Sequence, residues 1–287
     1  MSINTAIPEE ERQPTRRGTA ETTRTFDQTF LDPEDESVHR DVAGHAGRWY
    51  FAARGPHPDI LDEIPYGVSY MEHFLKYGIN KKPFVVHEET DVLDVGCGPK
   101  RPLLLALFGG IGPYPLARSY TGVDLNKVKQ TRHARSKIYD ETNFFEKWVQ
   151  IKQERGPFDL ITNFEVIEHM PAAQGHEMLS IFRQLLRDDD SRILLSTPVF
   201  DGMRAKNHIH EYTIEKLQSF VEAAGLKTYK RYGTFANVAA LRQGMKPEHV
   251  AAMKALGEYY GNDVLSTIFA PLYPDLARNN LWVLGRA

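Results

Sequence analysis

From Asp91 onward, short runs of aliphatic and β-branched residues alternate with longer stretches in which apolar residues recur three and four apart. The runs predict strands at Val92–Val95, Tyr120–Val123, Asp159–Phe164, Arg192–Ser196, Leu226–Tyr232 and Leu281–Leu284. Between them, MLSIFRQLL (178–186) and IEKLQSFVEAAG (214–225) predict helices, the second stopped by Gly225. Strands alternating with helices are the signature of an α/β fold, a mostly parallel sheet with helices on its faces. The third strand is obscure, because NFFEKWVQIKQERG (143–156) shows no clean period.

The flanks read differently. Residues 1–36 hold scattered apolar positions among Thr, Glu, Arg and Pro, too few to offset the entropy of ordering them, and predict a flexible tail. Residues 37–90 contain two helical patterns, DVAGHAGRWYFAA and VSYMEHFLKYG, expected to cap the core of residues 91–287. The segment at about 235–280 is far longer than a hairpin needs and includes the helical stretch HVAAMKALGEYYG, so a lid or binding insertion is expected. The stretch YYGNDVLSTIFAPLYPDLARNNLWVL gathers aromatics, prolines and Arg278, and most of its aromatics read as core rather than as a base-stacking platform.

Composition narrows the class. With 287 residues, 41% hydrophobic, the chain can bury one sizeable core. A formal net charge of −3 gives no reason for strong non-specific binding to nucleic acid, although a local basic groove is compatible with it. The single cysteine, Cys97, excludes an intramolecular disulfide and a cysteine-rich zinc site. The first residues lack the apolar core of a secretory signal, and no apolar run approaches the length of a membrane span. A cytoplasmic protein without membrane partners is the expectation.

Candidate chemistry begins at DVLDVGCGPK, where an apolar strand runs into Gly96 and Gly98, so that main chain can approach a ligand closely. In YTGVDLN the next strand ends in Asp124, placed to accept hydrogen bonds from both hydroxyls of a ribose. Together they imply a nucleoside cofactor. NAD is disfavoured, because the pyrophosphate fingerprint asks for a third glycine where Arg101 stands.

The series DVLDVGCGP, TGVDLN, FDLITNFEVIEHM and ILLSTP resembles the successive motifs of class I S-adenosylmethionine-dependent methyltransferases. That resemblance implies a Rossmann-like fold with a seven-stranded sheet. It also implies that Asp94 with the Gly96–Gly98 turn holds the methionine part of the cofactor, Asp124 and its neighbour Leu125 the ribose side, and Asn163 the pocket edge. Family members often carry a third glycine at the position of Lys100, so the local loop shape departs here.

Methyl transfer is an in-line displacement at a sulfonium, so the protein must align the nucleophile and, for a hydroxyl, take its proton. Glu165, Glu168 and His169 in FEVIEHM, with His208 and His210 from the loop after the strand Arg192–Ser196, could converge for this task. Three readings stand. Glu165, Glu168, His169 and His208 could bind Mg²⁺, Mn²⁺ or Zn²⁺; His169 or His208 could act alone as general base; or a Glu could cap the next helix while the histidines merely pack. Glu-x-x-Glu-His with a later His resembles the metal set of small-RNA terminal 2′-O-methyltransferases, and Glu-x-x-Glu-His also resembles ubiquinone-pathway O-methyltransferases. The motifs NHIHEYT and YGTF are similar to a group of methyltransferases in tailed phages and some bacteria.

The acceptor expected first is a small metabolite or nucleotide, with an RNA or DNA terminus second. No Asp/Asn-Pro-Pro-Tyr/Phe tetrapeptide of exocyclic-amine methylation occurs, and Cys97 lies in the cofactor loop, away from the place of a cytosine-C5 nucleophile. A non-catalytic assembly factor that keeps the cofactor is the alternative from another class. His39, Arg40, His45, Arg48 and Trp49 form a further face able to meet an anionic or planar substrate or simply to pack.

Overall fold

A computed structural model describes Gln13 and residues 89–98, 117–128, 130 and 134–287. Apart from Gln13, Glu89 and Thr90, the expected tail and cap, with the His39–Trp49 face, lie outside the described residues, as do Lys100 and Arg101.

Seven strands form one sheet: β1 (Asp91–Val95), β2 (Ser119–Val123), β3 (Ser136–Tyr139), β4 (Leu160–Phe164), β5 (Arg192–Pro198), β6 (Leu226–Ala236) and β7 (Ala277–Arg286). Their order is β3-β2-β1-β4-β5-β7-β6. All neighbours are parallel except β7, which runs antiparallel between β5 and β6. The chain winds outward from β1 in both directions, so the β1/β4 boundary is a topological switch point, where the carboxyl ends of the strands open a crevice for a ligand.

The strand residues of β1, β4 and β5 are all buried, as expected for parallel strands covered on both faces. Helices α1 (Phe144–Arg155), α2 (Ala172–Leu185) and α3 (Ile214–Ala223) lie among them in sequence. Helix α2 buries Met178, Leu179, Ile181, Phe182 and Leu185, each stabilising the fold by about 1.5–3 kcal/mol relative to exposure. Thr213 caps α3 by accepting from the Lys216 N–H, and Gly225 follows its end.

Two departures from the sequence expectation have physical causes. The third strand is Ser136–Tyr139, an edge strand in which only Ile138 is buried. The unperiodic segment 143–156 is a helix, α1, whose buried residues are only Phe144 and Ile151, so it carries almost no stripe. The last two strands are also longer than expected, Leu226–Ala236 and Ala277–Arg286. The insertion between them is therefore shorter, and folds as α4 (Val238–Gly244), α5 (Pro247–Leu256) and α6 (Asn262–Phe269). These helices bury a small core of their own, including Leu241, Met253, Leu265 and Phe269, which closes on Ala236 and Ala277 at the strand ends.

Among the described residues, no helix is long and apolar enough to cross a membrane.

Candidate active site

The loop after β1 is built around two glycines with left-handed backbone, Gly96 at φ +79 and Gly98 at φ +67. A Cβ on Gly96 would stand 2.2 Å from Cγ2 of Val166, whereas one on Gly98 would meet nothing within 4 Å among the described residues. Gly96 is thus required by packing, and Gly98 faces the open cradle. The Gly98 N–H donates to Asp124 Oδ2 at 2.8 Å, and the Asn126 N–H donates to Oδ1 at 2.8 Å. A carboxylate offers about four acceptor positions, so Asp124 keeps capacity for a diol. Leu125 beside it is 68% exposed, an apolar side chain at the mouth of the crevice.

Asp94 sits deeper than a ligand contact requires. Its carboxyl accepts from Tyr120 Oη at 2.7 Å and Thr162 Oγ1 at 2.8 Å. Burial pushes its pKa up to about 6, the two hydroxyls pulling the other way and the Asp124 charge adding to the rise. Asn163, wholly buried on β4, donates from Nδ2 to the Val95 carbonyl at 3.0 Å, and its Oδ1 is buried without a partner among the described residues. A buried amide oxygen without a donor is costly, and here it stands beside the β1 carboxyl end. The open space at Gly98, the spare acceptors of Asp124 and this orphaned oxygen fit a ribose-bearing cofactor with a cationic end. Burial raises the Cys97 thiol far above its ordinary range, which removes it as a nucleophile.

The second half of the site follows β4. Glu165 adopts φ +57, a conformation uncommon outside glycine. Ser196 Oγ holds its carboxyl at 2.7 Å, and Asn279 Nδ2 donates to both oxygens at 3.1 Å. Burial raises its pKa against these donors. Glu168 has no exposed surface, accepts from Thr197 Oγ1 at 3.1 Å and lies against the Glu165 carboxyl. Burial, and then the Glu165 charge, push Glu168 well above the usual carboxylate range.

His169 and His208 meet edge to face, ring centroids 4.9 Å apart. His169 Nδ1 lies 3.0 Å from the Asn207 carbonyl. A carbonyl only accepts, so in the neutral ring Nδ1 carries the proton and Nε2 the lone pair. Glu168, His169 and His208 each place a donor atom within 4.8 Å of the others. The structure thus brings together three of the four residues expected for a metal; Glu165 is engaged by Ser196 and Asn279 outside that cluster. His210 is likewise outside it, its ring against Tyr212 at 4.7 Å and its N–H on the Glu168 carbonyl. Helix capping by either glutamate does not occur: the residue before α2 is Pro171, with no side-chain cap, and the short turn Ile167–His169 has none either.

Sequence reasoning passed over Glu211 and Gln13. Glu211 is fully buried and receives three donors, described below. Gln13, within the expected tail, donates from Nε2 to the Glu211 carbonyl at 2.6 Å and accepts the Glu211 N–H at 2.8 Å. The signal for Glu211 was its place three residues after His208; for Gln13 there was none.

A seven-stranded sheet with this order, a glycine turn after β1 and an acid ending β2 define a Rossmann-like methyltransferase architecture. A family model described as a methyltransferase domain matches residues 68–231, more than half of the sequence. The chain belongs to that methyltransferase family. No curated protein matches the sequence. Among solved structures it is similar to the [4+2]-cyclase SpnF, at 12–17% identity like the others named here: 14%, 70% of this chain, 76% of that one and TM-score 0.42. Another is PKMT2 from Rickettsia typhi, at 12%, 71%, 50% and 0.44. A third is a Burkholderia thailandensis 1,6-didemethyltoxoflavin-N1-methyltransferase with S-adenosylhomocysteine bound, at 17%, 69%, 71% and 0.37. The chain spans only half of the Rickettsia protein. At TM-scores this low, these likenesses carry no argument about activity.

Proposed function

We propose that this methyltransferase uses S-adenosylmethionine to methylate an oxygen or nitrogen of a small metabolite or nucleotide. The observation that carries the reading is Asp124, held at the β2 tip by the Gly98 N–H at 2.8 Å with acceptor capacity left for a ribose. Gly96, Gly98 and Asn163 form the methionine side, with Asp94 beneath it tied to Tyr120 and Thr162, and Leu125 covers the ribose side.

The acceptor then approaches from the β4/β5 end, where His169 and His208 stand. Its oxygen attacks the methyl carbon as the carbon–sulfur bond breaks, the electron pair staying on sulfur to give S-adenosylhomocysteine. The hydroxyl proton passes to Nε2 of one histidine; a neutral amine acceptor uses its own lone pair. Asp124 and the glycine turn align the cofactor, which is most of the catalytic task in such a displacement.

A second reading is favoured by the cluster of Glu168, His169 and His208. In it the acceptor is the terminal hydroxyl of an RNA or DNA strand. One carboxylate with two imidazoles suits Mn²⁺ or Zn²⁺ better than Mg²⁺, and Glu168 would supply the oxygen ligand beside His169 and His208. A bound cation would acidify the hydroxyl it touches.

The test is transfer of radiolabelled methyl from S-adenosylmethionine to a panel of nucleosides, nucleotides, hydroxylated metabolites and short RNA or DNA strands, each strand paired with a version whose last nucleotide is 2′,3′-dideoxy. Labelling of a small acceptor, lost in His169→Ala or His208→Ala, supports the first reading. Labelling only of strands with a terminal hydroxyl, abolished by chelator, moves the assignment to the second. S-Adenosylhomocysteine binding without any turnover leaves the non-catalytic assembly role.

A further inference from the structure

We infer that Glu211 is the positioning residue of the acceptor site, fixing the ring proton of His208 on Nδ1 so that Nε2 carries the lone pair. The inference rests on the reading of His169 and His208 as the acceptor end of the site.

Glu211 has a side chain with no exposed surface. Burying a carboxylate is costly unless it is paired and its lone pairs are used, and here three donors converge on it. Oε1 accepts from the Ala205 N–H at 2.8 Å and meets His208 Nδ1 at 2.7 Å. Oε2 accepts from Arg278 Nη2 at 2.5 Å. Neither the Ala205 N–H nor the Arg278 guanidinium can accept a proton, so both favour an ionised Glu211, and an ionised carboxylate can only accept from His208. The ring proton of neutral His208 is therefore on Nδ1.

The hold is reinforced on every side. Gln13 takes both main-chain groups of Glu211. Arg278, reaching over from β7, also bonds the Val199 carbonyl and pairs with Asp201 at 3.3 Å. Arg204 donates to the His208 carbonyl. His169 is given the same tautomer by the Asn207 carbonyl. Two neighbouring imidazoles thus both present Nε2 as the lone-pair nitrogen, which a base or a ligand requires. A plain tie between the loop and β7 needs only Glu211 and Arg278; it does not need His208 on the same oxygen as a main-chain N–H.

The experiment is ¹⁵N nuclear magnetic resonance of the histidine rings in the full chain, at about pH 8.5, where an unperturbed imidazole is neutral. His208→Gln assigns the signals. In wild type, His208 is expected to show the Nδ1–H pattern; the Nε2–H pattern would overturn the inference, and this arm needs no variant to fold. Glu211→Met should release the ring to Nε2–H, while Arg278→Met should lower thermal stability and leave Nδ1–H. An unchanged His208 pattern in folded Glu211→Met also overturns it. Failure of the methyltransferase reading would show separately, as no S-adenosylhomocysteine binding by wild type, and leaves the tautomer readable.

Discussion

The main-chain N–H of Gly98 donates to the Asp124 carboxylate at 2.8 Å, so the loop after β1 and the tip of β2 form one hydrogen-bonded unit. Asp124 therefore holds the loop, and in the proposed reading its spare acceptors meet a ribose. Asp124→Ala is expected to weaken S-adenosylhomocysteine binding 10- to 100-fold, the loss of one or two hydrogen bonds to a charged group. Isothermal calorimetry on wild type and variant checks this; equal affinities would remove Asp124 from the site.

The two loop glycines should fail in different ways. Alanine at Gly96 would press its Cβ to 2.2 Å from Val166, so Gly96→Ala is expected to destabilise the fold, by about 2–5 kcal/mol from overpacking and left-handed strain together. Gly98→Ala meets no atom of the described residues, should cost only about 1–2 kcal/mol of strain, and should lose cofactor affinity because the methyl enters the cradle. Thermal melts and calorimetry on both variants separate these effects; a larger stability loss at Gly98 would contradict the assignment.

Much of this was legible in the chain. β1, β4 and β5 each hold a short aliphatic or β-branched stretch, and every one of their residues is buried; Asp124 is marked by following β2. What escaped was marginal or non-local. β3 buries only Ile138, and α1 only Phe144 and Ile151, so neither imprints a period. Glu211 looks like any surface glutamate until Arg278, 67 residues away, and Gln13, 198 away, are brought to it. Glu165 stays beside Glu168, as its spacing suggests, but Asn279 of β7, 114 residues away, also binds its carboxyl.

Asp94 predicts a pH dependence of stability. Its folded pKa is raised by burial from 3.8 to about 6. A carboxyl raised on folding supports the fold fully below its unfolded pKa, and that support is lost as pH rises through the folded value. The ligand-free protein should therefore lose up to roughly 3 kcal/mol between about pH 4 and 6 from this group. Asp94→Asn should flatten that window and be the more stable protein at pH 7. Urea unfolding across pH tests it; an unchanged slope in the variant would show that Asp94 does not titrate there.

For the metal-assisted reading, Mn²⁺ should raise the melting temperature of wild type by several degrees at saturation, because a ligand of the native state stabilises it by about 2.7 kcal/mol at 100 times its Kd. Glu168→Gln and His208→Ala should each abolish the shift. Equal shifts in all three proteins, or none in any, would leave the histidines as bases without a metal.

The most direct test of the central claim is titration of S-adenosylhomocysteine into the full chain by calorimetry beside a parallel titration of NAD. Saturable binding of S-adenosylhomocysteine in the micromolar range, with no heat from NAD, is the expected result. Binding of NAD without binding of S-adenosylhomocysteine would contradict the methyltransferase reading of this crevice.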